Sequence, residues 1–464
     1  MAAVNQVHGI KRASADAKYR QMTEQPIPSL ILRLSLPAVV SNLVTTAYNL
    51  TDTFFIGQLG TAQSGAIGIA FSIMTILQAI GFFFGNGAGN SMSRELGKRN
   101  NERAARLLAL GFAGAVLCGA LVAAVCLAML RPLVIGLGST ATIAPYAVQY
   151  LTPILLAAPC VCGSFALNGL LRYQGQSAFG MIGLVTGSLL NFLLAPLFIF
   201  VLDLGIFGAG LATGICQTVS FLILTTMSAR FGVLKLSLRN CRPDMLLARE
   251  ILGGGLPSLV RQSAGSIATT CVNIAANPFG DAAIAGMAIV MRIMLGVNSV
   301  IIGLGQGFQP VCGYNYGAGK FARVRDGFWF CIKLSTGVLL VLGALIWVAS
   351  PQLVEIFRSD PAVVAVGVAA LHFQCITVAL NGTNMMGNMM SQTLGKTGIA
   401  SFLAVCRTGL YLAPAVLILP HFIGITGVEV AQTVSDVLTF ATSLPLLRYL
   451  LTNVLVERRE RRTA

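Results

Sequence analysis

Two acids and four bases stand inside or at the edge of long apolar runs: Asp52 and Asp436, with Arg261, Arg292, Lys333 and Arg407. Each charge at the centre of a lipid-embedded helix costs at least about 2.5 to 3.5 kcal/mol, so a charge retained there is a functional hypothesis by default. Asp52 is the sharpest case. Thr45, Tyr48 and Asn49 precede it by seven, four and three residues, spacings that put a polar stripe on its helix face. Burial favours the neutral carboxyl, which makes Asp52 a natural reversible proton site. The same carboxylate with Asn and Thr oxygens could instead hold a hard cation such as sodium. A third reading has Asp52 bonding only to neighbouring backbone, and all three stay open at this point.

Asp436 follows another pattern. Arg407 lies at matching depth on the preceding run, and pairing the two would cancel both charges in lipid, so Arg407 and Asp436 are read as a structural ion pair. Arg261 and Gln262 come about one turn after Pro257, where Arg261 either snorkels to the surface or lines a cavity. Gln262, Arg261, Arg292, Gln306, Gln309 and Gln374 are the candidates for a substrate cavity, although Gln also serves as hydrogen-bonding glue between helices. No enzyme constellation accompanies them. His8, His372 and His421 are far apart, and neither a Gly-x-Ser-x-Gly, an HExxH nor a P-loop pattern occurs. The 11 cysteines form no CxxC pair and read as small apolar residues, so no metal site or other cofactor is expected beyond a coupling ion, a proton or possibly sodium.

The elements that hold these residues follow from composition. Only 10% of the 464 residues are charged, against about 25% in a soluble domain, while 55% are hydrophobic and the mean hydropathy is +0.79. That excludes a cytosolic enzyme, a disordered chain and a disulfide-stapled secreted domain. Twelve apolar runs are long enough to cross a core of roughly 30 Å as helices: 30–56, 63–90, 107–130, 147–170, 178–201, 206–229, 247–275, 283–309, 328–349, 364–392, 398–420 and 426–449. The net charge of +15 is distributed by side. With a cytoplasmic amino terminus, 25 of the 31 Lys and Arg fall on inner segments and two, Arg131 and Arg358, on outer loops, which predicts both termini inside. Basic residues scattered over every inner loop without aromatic interleaving argue against nucleic acid. No cleavable signal peptide pattern is seen in residues 1–29.

Shifting the chain by 220 residues against itself superposes Leu36 and Pro37 on Leu256 and Pro257, Gly60 on Gly280, Gly85 and Gly87 on Gly305 and Gly307, and Gly175 on Gly395. Six helices per copy is an even number, so the copies run the same way as a parallel repeat, in which rocking of one bundle against the other would give alternating access; a channel built from a duplicated half is the alternative. The expected organisation is an N-terminal segment 1–29, a six-helix lobe 30–229, a linker 230–246, a second lobe 247–449 and a basic tail 450–464. The fold class is all-α and polytopic.

The first run, from Leu36 and Pro37 through Tyr48, Asn49, Leu50, Thr51, Asp52, Thr53, Phe54, Phe55, Ile56 and Gly57, strongly resembles the multidrug and toxic compound extrusion (MATE) family. Gly205 to Gln217 resembles its sixth helix, while Gly255 to Ser258 with Arg261 and Gln262, Gly303 to Gly317, and Phe357 to Pro361 look like its MepA-like bacterial branch. The resemblance implies two six-helix lobes and efflux of amphipathic, usually cationic organic compounds, driven by inward proton or sodium flow. It also implies a multi-pass protein of the bacterial inner membrane, in contact with membrane lipids and working as a monomer. Asp52 matches the family's coupling carboxylate, with Tyr48, Asn49 and Asn191 as its expected neighbours. One departure stands out: Ala195 occupies the place of an acid common in the fifth helix. A sodium-coupled antiporter and a lipid-linked sugar flippase are the alternatives.

Overall fold

The computed structural model describes residues 15–237, 240–242 and 244–455, and among them there are helices and turns but no strand. Residues 1–14 and 456–464, at the two ends of the expected basic terminal segments, lie outside the described residues, as do Leu238, Arg239 and Pro243 of the linker. A spanning segment has no water to bond with and must close its own backbone hydrogen bonds, and each of the twelve runs is helical. A short helix α1 covers 15–24. Then come α2 (Ile27–Gly57), α3 (Thr61–Gly97), α4 (Asn101–Ala128), α5 (Leu130–Gly136), α6 (Ala144–Leu156), α7 (Ala158–Tyr173), α8 (Ser177–Val201) and α9 (Gly205–Phe231). The second copy consists of α10 (Met245–Ala276), α11 (Asp281–Ala318), α12 (Phe321–Glu355), α13 (Pro361–Thr393), α14 (Thr397–Ile423) and α15 (Ile425–Val454).

Ten of these helices are long and apolar enough to cross a membrane alone. The run at 147–170 is bent: α6 and α7 meet at Ala157 at 56° and make an eleventh crossing only together. Pro153 inside α6 and Pro159 in the first turn of α7 account for the break, since each lacks a backbone donor and crowds the carbonyl four residues earlier. The twelfth, α10, has the length, but Arg261, Gln262, Ser266, Thr269, Thr270 and Asn273 keep it more polar than the rest. Twelve similar runs in the sequence thus include two unlike ones.

The repeat is visible in the backbone. The pairs α3 and α11 (Thr61, Asp281), α4 and α12 (Asn101, Phe321), α8 and α14 (Ser177, Thr397), and α9 and α15 (Gly205, Ile425) each start 220 residues apart. Turn conformations agree as well: Gly175 and Gly395 have φ of 77° and 78°. At another turn the copies differ in residue, Arg99 at φ 61° against Gly319 at 77°, a conformation open to glycine and strained for arginine.

The chain divides into two compact units. One holds Arg33–Gly255 together with α1, and the other holds residues 256–455 together with Pro26–Leu32. In the first unit, Ile56, Ile73, Leu77, Tyr150, Ala195 and Ile206 belong to one buried cluster. Small residues let its helices approach closely: a Cβ on Gly85 of α3 would come within 3.0 Å of the Ala166 Cα on α7. In the second unit, Ile27 and Ile31 at the start of α2 lie beside Gly327 of α12.

Candidate functional site

In the first unit, α2 presents Tyr48 and Asp52 one turn apart, and both are buried, at 8% and 5% exposure. The surrounding cluster is apolar, so the carboxyl has few groups to bond. It finds one on α6, just before the proline bend: the Tyr150 hydroxyl donates to Asp52 Oδ2 at 2.7 Å. Asp52 Oδ1 is buried without a hydrogen bond. Alongside, Asn191 Nδ2 of α8 donates to Thr213 Oγ1 of α9 at 3.2 Å. The Tyr48 hydroxyl lies beside Thr213 and Gln217 but makes no hydrogen bond of good geometry. Thr45, Tyr48, Asn191, Cys216 and Gln217 line a narrow cavity of about 10 Å³, roughly the smallest space that admits a water.

The structure therefore gathers Tyr48, Asp52 and Asn191 with Tyr150 and Thr213. Asn49 is half-buried on α2 and is not a hydrogen-bond partner of Asp52. Ala195, one turn beyond Asn191, is buried among apolar side chains and brings no second carboxylate. Such a site can accept a proton on Asp52 Oδ1 without displacing a counter-ion.

The second unit is arranged differently. Arg407 Nε donates to Asp436 Oδ1 at 2.8 Å, and Gln432 Nε2 donates to the same oxygen at 2.9 Å. Arg407 stands on a π-helical stretch of α14, Cys406–Leu412, where the changed pitch alters the direction of its side chain. Along α13, Gln374, Thr377, Asn381, Asn384, Asn388 and Gln392 form one buried polar face at helical spacing. Asn388 Oδ1 accepts from Arg261 Nη1 at 3.1 Å, Asn381 Nδ2 donates to Asn298 Oδ1 at 3.0 Å, and Gln392 Nε2 donates to Ser258 Oγ at 2.9 Å. Arg261 thus joins this column, with Gln374 at its other end. Gln306 and Gln309 are buried on α11, Gln262 is half-buried, and Arg292 is exposed, away from the column.

Residues 37–197 and 257–417 each match the MatE family model, two copies whose limits are again 220 residues apart. The chain belongs to the MatE family. Among MatE relatives, the Multidrug export protein MepA of Staphylococcus haemolyticus (strain JCSC1435) is 26% identical over 407 residues, covering 87% of this chain and 90% of that protein. MepA of Staphylococcus aureus (strain N315) is 27% identical over 440 residues, covering 94% and 96%. In fold, the chain is similar to the crystal structure of MATE in the straight conformation, with a TM-score of 0.90 at 24% identity over 95% of this chain and 99% of that one. The outward-facing conformation of a multidrug resistance MATE family transporter of the MOP superfamily gives 0.89 at 24% identity, covering 94% and 98%. The protein is an all-α membrane protein of two six-helix lobes.

Tyr150, Thr213 and the Asn residues of α13 escaped the sequence reading. The α13 column carries a readable signal, the repeat of Asn and Thr at three and four residues. Tyr150 carries none, because it stands 98 residues from Asp52 in a largely apolar run.

Proposed function

We propose that this chain is a secondary antiporter that expels amphipathic organic compounds, cations foremost, in exchange for protons, by alternating access of its two lobes. Proton coupling is carried by one observation: a buried Asp52 that meets a hydroxyl at one oxygen and nothing at the other. A hard cation gathers several oxygen ligands, and Asp52, with Ala195 in place of a further acid, has only the Tyr150 hydroxyl as a hydrogen-bond partner among the described residues. The export of organic compounds is supported by family membership and by relatives named for multidrug export. The basic residues, 25 on one set of loops against two on the other, favour a bacterial inner-membrane protein with both termini cytoplasmic. The monomer is the working unit of this proposal, and no reaction is catalysed.

Uptake of a panel of cationic dyes into everted vesicles, whose outer face is the cytoplasmic one, under imposed proton or sodium gradients, tests this reading. A proton gradient alone should drive transport. Transport that needs sodium and ignores the proton gradient would replace it with sodium antiport.

A further inference from the structure

Arg292 of α11 is exposed and lies within the apolar run 283–309. It follows Asp281, the first residue of its helix, by 11 positions, about 16 Å along the axis and about half of a roughly 30 Å hydrocarbon core. It takes part in none of the ion pairs found among the described residues. A guanidinium at that depth needs an anion or a route for its head to the surface. A cleft of about 390 Å³ within the second unit supplies the route, running past Asp281, Arg292, Arg358 and Asp360. Arg358 and Asp360 belong to the Phe357–Pro361 motif, which the proposed antiport leaves without a role.

The cleft has a polarity. Its deep end holds Arg292, and its rim holds Asp281 at the start of α11 and Asp360 at the start of α13, with Arg358 nearby. Asp360 Oδ1 caps α13 by accepting from the Ala362 backbone N–H at 2.9 Å, which leaves its second oxygen for another donor. Ala282, Ala285 and Ala288 give α11 a smooth apolar wall between the two ends. The lining charges sum to zero.

We propose that this cleft holds the headgroup of a phosphoethanolamine lipid, its phosphate at Arg292 with Arg358 and its ammonium at Asp281 and Asp360. A phospholipid carries its phosphate deeper than its amine, the same order as Arg292 and the two aspartates here. A net-anionic headgroup would meet the two rim carboxylates, and a choline headgroup has no N–H to donate to them. The apolar wall and the depth of Arg292 suit a ligand with acyl chains rather than a soluble zwitterion.

The test is lipid competition on the purified full-length protein, with bound lipid counted by native mass spectrometry in equal mixtures of phosphatidylethanolamine, phosphatidylcholine and phosphatidylglycerol. The wild type should retain phosphatidylethanolamine in preference by roughly tenfold, the factor that one hydrogen bond to a charged group confers. Asp281→Asn with Asp360→Asn, in which Asn can still cap α13, should erase that preference and raise retention of phosphatidylglycerol. Arg292→Leu with Arg358→Leu should lose both zwitterionic lipids. Equal retention of phosphatidylethanolamine and phosphatidylcholine by the wild type would overturn the proposal even if no variant folds. So would an Arg292→Leu protein that keeps its lipid but binds ethidium more weakly, because the cleft would then belong to the exported compound.

Discussion

Asp52 in the first unit is met by a hydroxyl at 2.7 Å, whereas Asp436 in the second is met by a guanidinium at 2.8 Å. The repeat makes the contrast sharper. Shifted by 220 residues, Arg407 and Asp436 fall on Gly187 and Cys216, two small residues that line the narrow cavity near Asp52. One position pair in a duplicated fold has therefore been filled with a permanent ion pair in one copy and left open beside a lone carboxylate in the other. Arginine is a fixed counter-charge, so Asp436 has no need of a mobile one. Asp52 has no such counter-charge among the described residues. Under the proposed antiport the duplicated lobes divide the work, one holding its charges still and the other exchanging its proton.

The largest stability effect should come from the second unit. Arg407→Leu leaves Asp436 charged and buried and should destabilise by roughly 3 to 5 kcal/mol, whereas adding Asp436→Leu should restore much of the loss. Thermal unfolding of the single and double variants decides it; equal melting temperatures would mean that the pair contributes nothing. A smaller loss is expected in the first unit. Tyr150→Phe removes the one hydrogen bond of a buried carboxyl, worth about 1 to 3 kcal/mol when left unmade, while the ring keeps its packing. A melting temperature unchanged from wild type would place the acid's support elsewhere.

The smallest effect concerns a base with no acid beside it. Lys18 of α1 donates to Gln21 Oε1 at 2.9 Å, and burial, with the like charge of Arg33, pulls its ammonium down to about 8 from 10.5. Between those values the unfolded chain holds a proton that the folded one has shed, so stability should rise as pH passes from about 8 towards 10.5. Lys18→Met should flatten that rise in a pH series of melting curves; a rise of the same size in the variant would remove Lys18 as its source.

Much of this was legible in the chain. Apolar runs of spanning length announce helices because lipid leaves the backbone no other solution, and the 220-residue offset is plain in Leu36, Pro37 and the paired glycines. Asp52 and Asp436 stood out because charges are rare there. Their partners were unequally visible. Arg407 is itself a rare charge on a neighbouring run, but Tyr150 is one aromatic in an apolar stretch, and only the folding of α6 against α2 gives its hydroxyl a purpose. The bend at Ala157 and the π-helical turn under Arg407 were hidden for a related reason: periodicity reports which face is apolar, not where a helix changes direction.

The central claim is that Asp52 carries the coupling proton, and Asp52→Asn tests it most directly because it keeps the shape and much of the hydrogen bonding but cannot ionise. Everted vesicles containing the wild type or the variant would be given the same cationic dye on the outside and energised with the same interior-acid proton gradient, with dye binding to the purified proteins measured in parallel. The account predicts that the variant still binds dye but no longer moves it in response to the gradient. Full proton-driven transport by Asp52→Asn would contradict it and turn attention to Asp436.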